Sequence, residues 1–298
     1  MNKGSRTSSF GTNPRISHDS STYYSSRLYS ELSVSAGQEI GQDNDFPEDL
    51  KNRIILGSSE NMREIPDNSL HLMVTSPPYN VSKDYDEDLS LKEYLELLRN
   101  VFSETHRVLV GGGRACVNVA NLGRKPYIPL SDHISRIMID IGFLMRGEII
   151  WNKGAGAGVS MAWGSWKSAS NPVLRDVHEY VLVFSKGSFG RKKLKEHKDT
   201  IGRDQFMEWT KSIWTMNPES ARKVGHPAPF PVELPYRLIQ LFTFKGDVVL
   251  DPFMGSGSTA IAALRSDRSY IGYDINPAYI ELAERRIEPE KLQMRLDI

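Results

Sequence analysis

From residue 53 onward, short apolar runs alternate with longer amphipathic stretches, and that alternation leaves few architectures open. The runs at 54–56, 71–75, 115–120, 147–151, 180–185, 248–250 and 270–273 are bounded by Gly, Pro or Asp and read as strands. Between them lie helical patterns. The clearest covers 91–110, with Leu91, Tyr94, Leu95, Leu98, Val101, Phe102 and Val108 at helical spacing, and Gly111-Gly112-Gly113 is expected to end it. Others cover 130–141, 233–242, 259–264 and 278–287. Seven strands interleaved with helices predict an α/β fold: an open, mostly parallel, Rossmann-like sheet covered on both faces. No clear helix separates 147–151 from 180–185, so that pair is free to run antiparallel.

Residues 1–46 are rich in Ser, Thr, Asn, Gln and Gly, which reads as a flexible arm. Tyr23, Tyr24, Leu28 and Tyr29 give part of it enough apolar surface to dock. Two segments break the alternation. Residues 154–176 are rich in Gly, Ser and Trp, and residues 186–218 contain Arg191-Lys192-Lys193-Leu194-Lys195. Both exceed ordinary connections in length, as functional loops do.

Two strand ends carry chemistry. After Leu70-His71-Leu72-Met73-Val74 comes Thr75-Ser76-Pro77-Pro78-Tyr79. Two prolines fix φ and remove two backbone donors, leaving the Ser76 hydroxyl and nearby carbonyls as acceptors, with Tyr79 as a stacking face. Such a slot suits a flat ring bearing an amine, cytosine or adenine; a plain Pro-Pro turn is the bland alternative. Far downstream, Asp251-Pro252-Phe253-Met254-Gly255-Ser256-Gly257-Ser258-Thr259 takes the chain from a strand through Gly-x-Gly into a helix. Asp274 ends the next strand, where a carboxylate can accept from both ribose hydroxyls. No Gly-Lys-Ser/Thr comes after it, so a nucleoside without phosphate fits better than a nucleotide. Phe253 could wall it, and Asp251 could hold a positively charged amino group.

Charge is uninformative: 37 basic residues balance 37 acidic ones. Nucleic-acid binding then needs a local basic face. Cys116 is the only cysteine and sits in an apolar run, so no internal disulfide forms, and no zinc-spaced cluster is visible. No metal is expected. There is no apolar run of about 18 residues and no signal-peptide pattern, so the default location is the cytoplasm, without membrane contact.

Together these motifs resemble the S-adenosylmethionine-dependent DNA amino-methyltransferases of restriction–modification systems, over about residues 53–287. Thr-Ser-Pro-Pro-Tyr, Asp-Pro-Phe-x-Gly-Ser-Gly and His226-Pro227-Ala228-Pro229-Phe230-Pro231 carry the resemblance. The catalytic motif precedes the donor-binding one, which is the permuted order of the beta group. The resemblance implies a catalytic half at 47–185, a target-recognition insertion at 186–218 and a cofactor half at 219–298. It implies that Ser76, Pro77, Pro78 and Tyr79 hold the target amine. S-adenosylmethionine would meet Asp251, Pro252, Phe253, Gly255, Ser256, Gly257, Thr259 and Asp274, with Ser58, His226 and Phe230 shaping its pocket. Relatives often read Gly-Asp where this chain has Gly57-Ser58-Ser59, so Ser58 or Glu60 would stand in for an acid.

Trp151-Asn152-Lys153 resembles the stretch that encloses a flipped base. Lys153, Trp163, Trp166, Arg191, Lys192, Lys193 and Lys195 are the expected contacts to double-stranded DNA carrying a specific recognition sequence. His178-Glu179 begins a strand and is read as structural. Ser-Pro-Pro-Tyr is typical of cytosine-N4 enzymes in this family and Asp/Asn-Pro-Pro-Tyr of adenine-N6 enzymes, so Ser76 implies cytosine. Adenine-N6 transfer, transfer to protein or RNA amides, and a DNA-binding pseudoenzyme are the alternatives. A homodimer is left open.

Overall fold

A computed structural model describes residues 6–7, 15–16, 19, 21–30, 41–78, 89–154 and 164–296. The chain divides into two compact units, residues 1–38 and 39–298. In the first, Arg6–Thr7 pairs antiparallel with Arg15–Ile16, and two one-turn helices come next, Ser21–Tyr24 and Arg27–Ser30. The Tyr24 and Tyr29 rings meet edge to face at 5.0 Å.

The second unit is built on one eight-stranded sheet. Its strands in chain order are β1 (Arg53–Leu56), β2 (Leu70–Thr75), β3 (Leu109–Val119), β4 (Phe143–Asn152), β5 (His178–Lys186), β6 (Ile213–Thr215), β7 (Val248–Asp251) and β8 (Ser269–Asp274). Across the sheet the order is β6-β4-β5-β3-β2-β7-β8-β1. Only β5 runs against its neighbours, pairing antiparallel with both β3 and β4. The mostly parallel sheet expected from the sequence is present, with β6 as one additional edge strand. β7 is buried at every position and β2 at all but one, as befits central strands covered on both faces.

Helices α1 (Leu91–Val108), α2 (Leu130–Ile141), α3 (Arg203–Trp209), α4 (Ala221–Val224), α5 (Glu233–Phe242), α6 (Ser258–Arg265) and α7 (Pro277–Leu296) supply the cover. One apolar cluster gathers residues of α1 and α2 on one side, among them Leu98, Phe102, Ile134 and Met138. A second gathers α5, α6 and α7 through Leu238, Ile261, Ala283 and Ile287. Ser90 and Glu93 form a reciprocal cap at the start of α1: Glu93 N donates to Ser90 Oγ at 3.3 Å and Ser90 N to Glu93 Oε2 at 2.8 Å.

The glycine run does not end α1. The helix stops at Val108, and Gly111-Gly112-Gly113 lies inside β3. Lys186 Nζ meets the exposed end of the helix instead, donating to the carbonyls of Arg107 (3.1 Å) and Leu109 (2.7 Å) and to Asn68 Oδ1 (2.6 Å). Burial lowers its pKa to about 8. The glycines serve close approach: a Cβ on Gly112 would stand 2.4 Å from the Gly190 carbonyl oxygen.

His71, on β2, accepts a hydrogen bond at Nδ1 from Val248 N at 3.0 Å. Burial pushes its pKa down to about 4, with Asp247 opposing the shift. An unfolded histidine titrates near 6.5, so below that pH the unfolded chain binds a proton that the folded one refuses. This contribution is whole above about 6.5 and is lost as pH falls toward 4. At about 1.4 kcal/mol per unit it amounts to at most about 3 kcal/mol. Asn can present an acceptor without titrating. The stability advantage of wild type over His71→Asn, read from urea midpoints, is therefore expected to shrink between about pH 7 and about pH 4.

Candidate active site

Parallel strands deliver their C-terminal ends to one edge, and at that edge β2 stands beside β7 although the two are separated by most of the chain. A cavity of about 260 Å³ opens there. Four strand ends line it. β1 gives Gly57, Ser58, Ser59 and Glu60; β2 gives Ser76, Pro77 and Pro78; β7 gives Pro252, Phe253 and Gly255; β8 gives Asp274, Ile275 and Asn276. Leu89, with Tyr94, Leu97 and Val101 of α1, forms an apolar wall, and His226, Ala228 and Tyr279 complete the rim. The two motifs read from the sequence thus share one cavity.

The turn after β7 is shaped by its glycines. Gly255 has φ +50° and Gly257 φ +79°, a region open to Gly and strained for other residues. A Cβ on Gly257 would stand 3.1 Å from Ala283 Cβ, so the glycine lets α6 start against α7. A Cβ on Gly255 would stand 3.0 Å from His226 Nε2. Asp274 braces the same turn. Its Oδ2 accepts from Gly255 N (2.8 Å) and its Oδ1 from Asn276 N (2.8 Å). Burial still raises its pKa, and these backbone donors hold the rise back. Both oxygens keep further lone pairs for a ligand.

Asp251 has a different place from the one expected. It is fully buried and absent from the described lining. Its Oδ1 accepts from Thr75 Oγ1 (2.7 Å) and Phe253 N (3.1 Å), tying the catalytic strand to the glycine turn. Burial pushes its pKa up to about 6 against those donors. Thr259 is buried behind it, its hydroxyl 3.4 Å from the Val74 carbonyl. Ser256 and Gly257 also lie outside the lining. So does Phe230, which packs on the second apolar cluster while its carbonyl accepts from Ser258 Oγ at 3.0 Å. His226 faces the Tyr279 ring at 4.7 Å.

Ser58 and Glu60 are both in the cavity, and Ser58 Oγ donates to Glu60 Oε2 at 3.1 Å; Asn100 Nδ2 holds the other carboxylate oxygen at 3.0 Å. A carboxylate thus stands in the cavity two residues beyond Ser58. Tyr94, Asn276 and Tyr279 also line the site, and sequence reasoning missed them. Tyr94 was legible only as part of a core face, and the sole cue to Asn276 is its position two residues beyond Asp274.

Tyr79 and Trp163 lie outside the described residues. The long excursions leave from opposite ends of the sheet. Residues 153–177 join the end of β4 to the start of β5, at the cavity's edge. Residues 187–212 join the end of β5 to the start of β6, at the other edge. Trp166, 64% exposed, is on the first. Arg191, Lys192, Lys193 and Lys195 are on the second, after the end of β5 that lies away from the cavity. Arg191 pairs with Asp247, which precedes β7, and Lys193 with Asp199. Because β5 is antiparallel, the segment after it, expected from the sequence to contact DNA, emerges at the edge of the sheet away from the cavity. Lys153 is at the cavity's edge but is bonded to Glu179.

The lining contains two carboxylates, Asp274 and Glu60, and no Lys or Arg among the described residues. That set suits a nucleoside carrying positive charge and gives a phosphate no Lys or Arg to pair with. Beside it stands the acceptor-rich slot for an amine-bearing ring. Fold and cavity define the class: a doubly wound α/β protein whose nucleoside-sized pocket opens at the C-terminal ends of its parallel strands. The sequence matches the DNA methylase family, which spans N6 and N4 enzymes, over residues 70–285. It is 31% identical to the type II methyltransferase M.MjaI of Methanocaldococcus jannaschii, covering 82% of this chain and 94% of that one. It is 30% identical to M.MthZI of Methanothermobacter thermautotrophicus, covering 83% and 79%. Among solved structures, a putative DNA modification methylase from Thermus thermophilus, complexed with S-adenosyl-L-methionine, aligns with a TM-score of 0.66 at 31% identity, over 80% of this chain and 94% of that one. The PvuII DNA methyltransferase, cytosine-N4-specific, shares the fold with a TM-score of 0.64 at 20% identity, over 83% and 90%. The chain belongs to the DNA methylase family.

Proposed function

We propose that this chain transfers a methyl group from S-adenosylmethionine to the exocyclic N4 amine of cytosine in double-stranded DNA, as the modification half of a restriction–modification system. One observation carries the reading: Ser76, Pro77 and Pro78 open into the same cavity as Asp274, and the described lining of that cavity has carboxylates but no cation. When bound, S-adenosylmethionine supplies a methyl carbon made electrophilic by a positively charged sulfur. Asp274, already oriented by two backbone N–H groups, accepts from the ribose hydroxyls; Glu60 adds negative charge; Phe253 and the α1 wall exclude water. The Ser76 hydroxyl and the neighbouring carbonyls accept the hydrogens of the target amine and fix it for in-line attack. The prolines remove N–H groups that would repel those hydrogens. A base within a duplex cannot reach the slot and is flipped out. A short neutral Ser at the motif's first position favours cytosine over adenine.

The test is nucleoside mass analysis of DNA treated with the purified protein and donor. N4-methylcytosine is the expected product. N6-methyladenine overturns the choice of base, and the absence of any methylated nucleoside overturns the reading.

The loop at the cavity's edge is the surface that would meet DNA. It presents Trp166, Lys167, Leu174 (84% exposed) and Arg175. The Arg124 side chain pins it by donating to the Leu174 carbonyl (3.1 Å) and to Asp176 (2.6 Å). Removing Lys167 and Arg175 together is expected to flatten the salt dependence of DNA binding by roughly 2 in log–log slope, at about 0.9 per phosphate contact. Removing Lys192 and Lys195 should leave the slope unchanged. Fluorescence titrations between about 50 and about 200 mM salt read both.

A further inference from the structure

A chain of polar contacts runs from the cavity's edge to Ser76 through residues the proposed reaction has not used. Glu179, on β5 and 8% exposed, receives hydrogen bonds on both oxygens: from Asn118 Nδ2 on β3 at 2.6 Å, and from Lys153 Nζ beyond β4. Asn118 is 2% exposed, and the same amide nitrogen lies 3.4 Å from Ser76 Oγ. Asn118 Oδ1 is buried with no hydrogen-bond partner among the described residues.

The directions of these bonds are fixed by chemistry. An ionised carboxylate only accepts, so the amide of Asn118 turns its nitrogen, not its oxygen, toward Glu179. The second N–H then points at Ser76, and the serine oxygen is the acceptor. Its own hydrogen is thereby turned away from Asn118. Were the amide reversed, its oxygen would face Ser76 and draw the hydroxyl hydrogen toward itself.

Resting on the proposed transfer to an amine, we propose that Glu179 and Asn118 are positioning residues: the Asn118 N–H keeps the Ser76 hydrogen turned toward a ring nitrogen of the target base while the remaining serine lone pair accepts from the amine. Lys153 serves the pair by occupying the other Glu179 oxygen, and its Nζ lies 5.3 Å from the centre of the Trp151 ring. Asn118 touches Ser76 from behind, and its orientation is dictated one residue further out. The logic is that of the outer-shell partners which orient metal ligands, whose loss costs about 10–100-fold in activity.

The experiment compares methyl transfer by Glu179→Gln, Asn118→Asp and the double variant with wild type, from about pH 6 to about pH 9. Gln can donate as well as accept, so E179Q frees the Asn118 amide to reverse. kcat is expected to fall about 10–100-fold, with the DNA KM and the donor affinity by calorimetry unchanged. N118D sets two carboxylates side by side, and like charges force one of them to keep a proton to higher pH. Its rate is expected to gain an ionisation step that wild type lacks, with activity falling on the alkaline side. In the double variant the Gln amide donates to the new carboxylate, and the step should vanish. E179Q with wild-type kcat, or N118D with a wild-type pH profile, overturns the inference. If E179Q loses its thermal transition, the N118D profile decides alone. A wild-type protein that transfers no methyl group overturns the underlying reading instead.

Discussion

Asp274→Ala should reduce the affinity for S-adenosylmethionine by roughly 100- to 10,000-fold. In the proposed reaction the carboxylate accepts two ribose hydroxyls, and bonds to a charged acceptor contribute about 1.5–3 kcal/mol each. It also closes the turn by accepting from Gly255 N and Asn276 N, so the same change loosens the backbone that lets the ligand approach. Asp274→Asn keeps one acceptor and replaces the other with a donor, and should fall between. Calorimetric titration of donor into protein measures both. A loss of less than threefold for the alanine variant would remove Asp274 from the donor site and with it the reading of the cavity as a nucleoside pocket.

The second large effect concerns stability. Arg191 and Asp247 pair with side chains only 12% and 7% exposed. Taking away one member of a buried pair strands the other's charge, at about 3–5 kcal/mol. Asp247 retains a bond from Phe244 N at 2.8 Å, so Arg191→Ala should cost about 3 kcal/mol, at the lower end of that range. Urea unfolding reads the loss, while the salt dependence of DNA binding should stay that of wild type. A stable R191A protein with a flattened slope would mean that this arginine meets phosphate after all.

That pair also marks where sequence stops informing. A run of four basic residues in five is visible by inspection, but which edge of the sheet it occupies depends on the direction of β5, a property of pairing and not of composition. The strands themselves were legible because apolar runs bounded by turn residues leave little choice, and the helices at 130–141 and 233–242 fall where their periodicity placed them. β6 was missed because Ile213-Trp214-Thr215 is too short to display a period. The glycine run misled because glycine both ends helices and admits close backbone neighbours, and only the position of Gly190 tells these apart. In the site, Ser76 and Asp274 stood out through their motifs. Glu179 did not, because its meaning comes from Asn118, 61 residues away in the chain, and Asn118's from Ser76, another 42 away. Such contacts leave no local trace.

The place of β7 has a consequence for how the molecule is made. β7 fills the slot between β2 and β8, and Thr75 at the end of β2 precedes its partner Asp251 by 176 residues. During synthesis, β2 therefore waits with one flank bare until most of the polypeptide has left the ribosome. An unpaired apolar strand is a template for the wrong neighbour, including another nascent copy. The segment from Val248 onward acts as a late-arriving wedge that seals the sheet, and chains truncated before it should be captured by chaperones or lost to aggregates instead of accumulating as half-built enzyme.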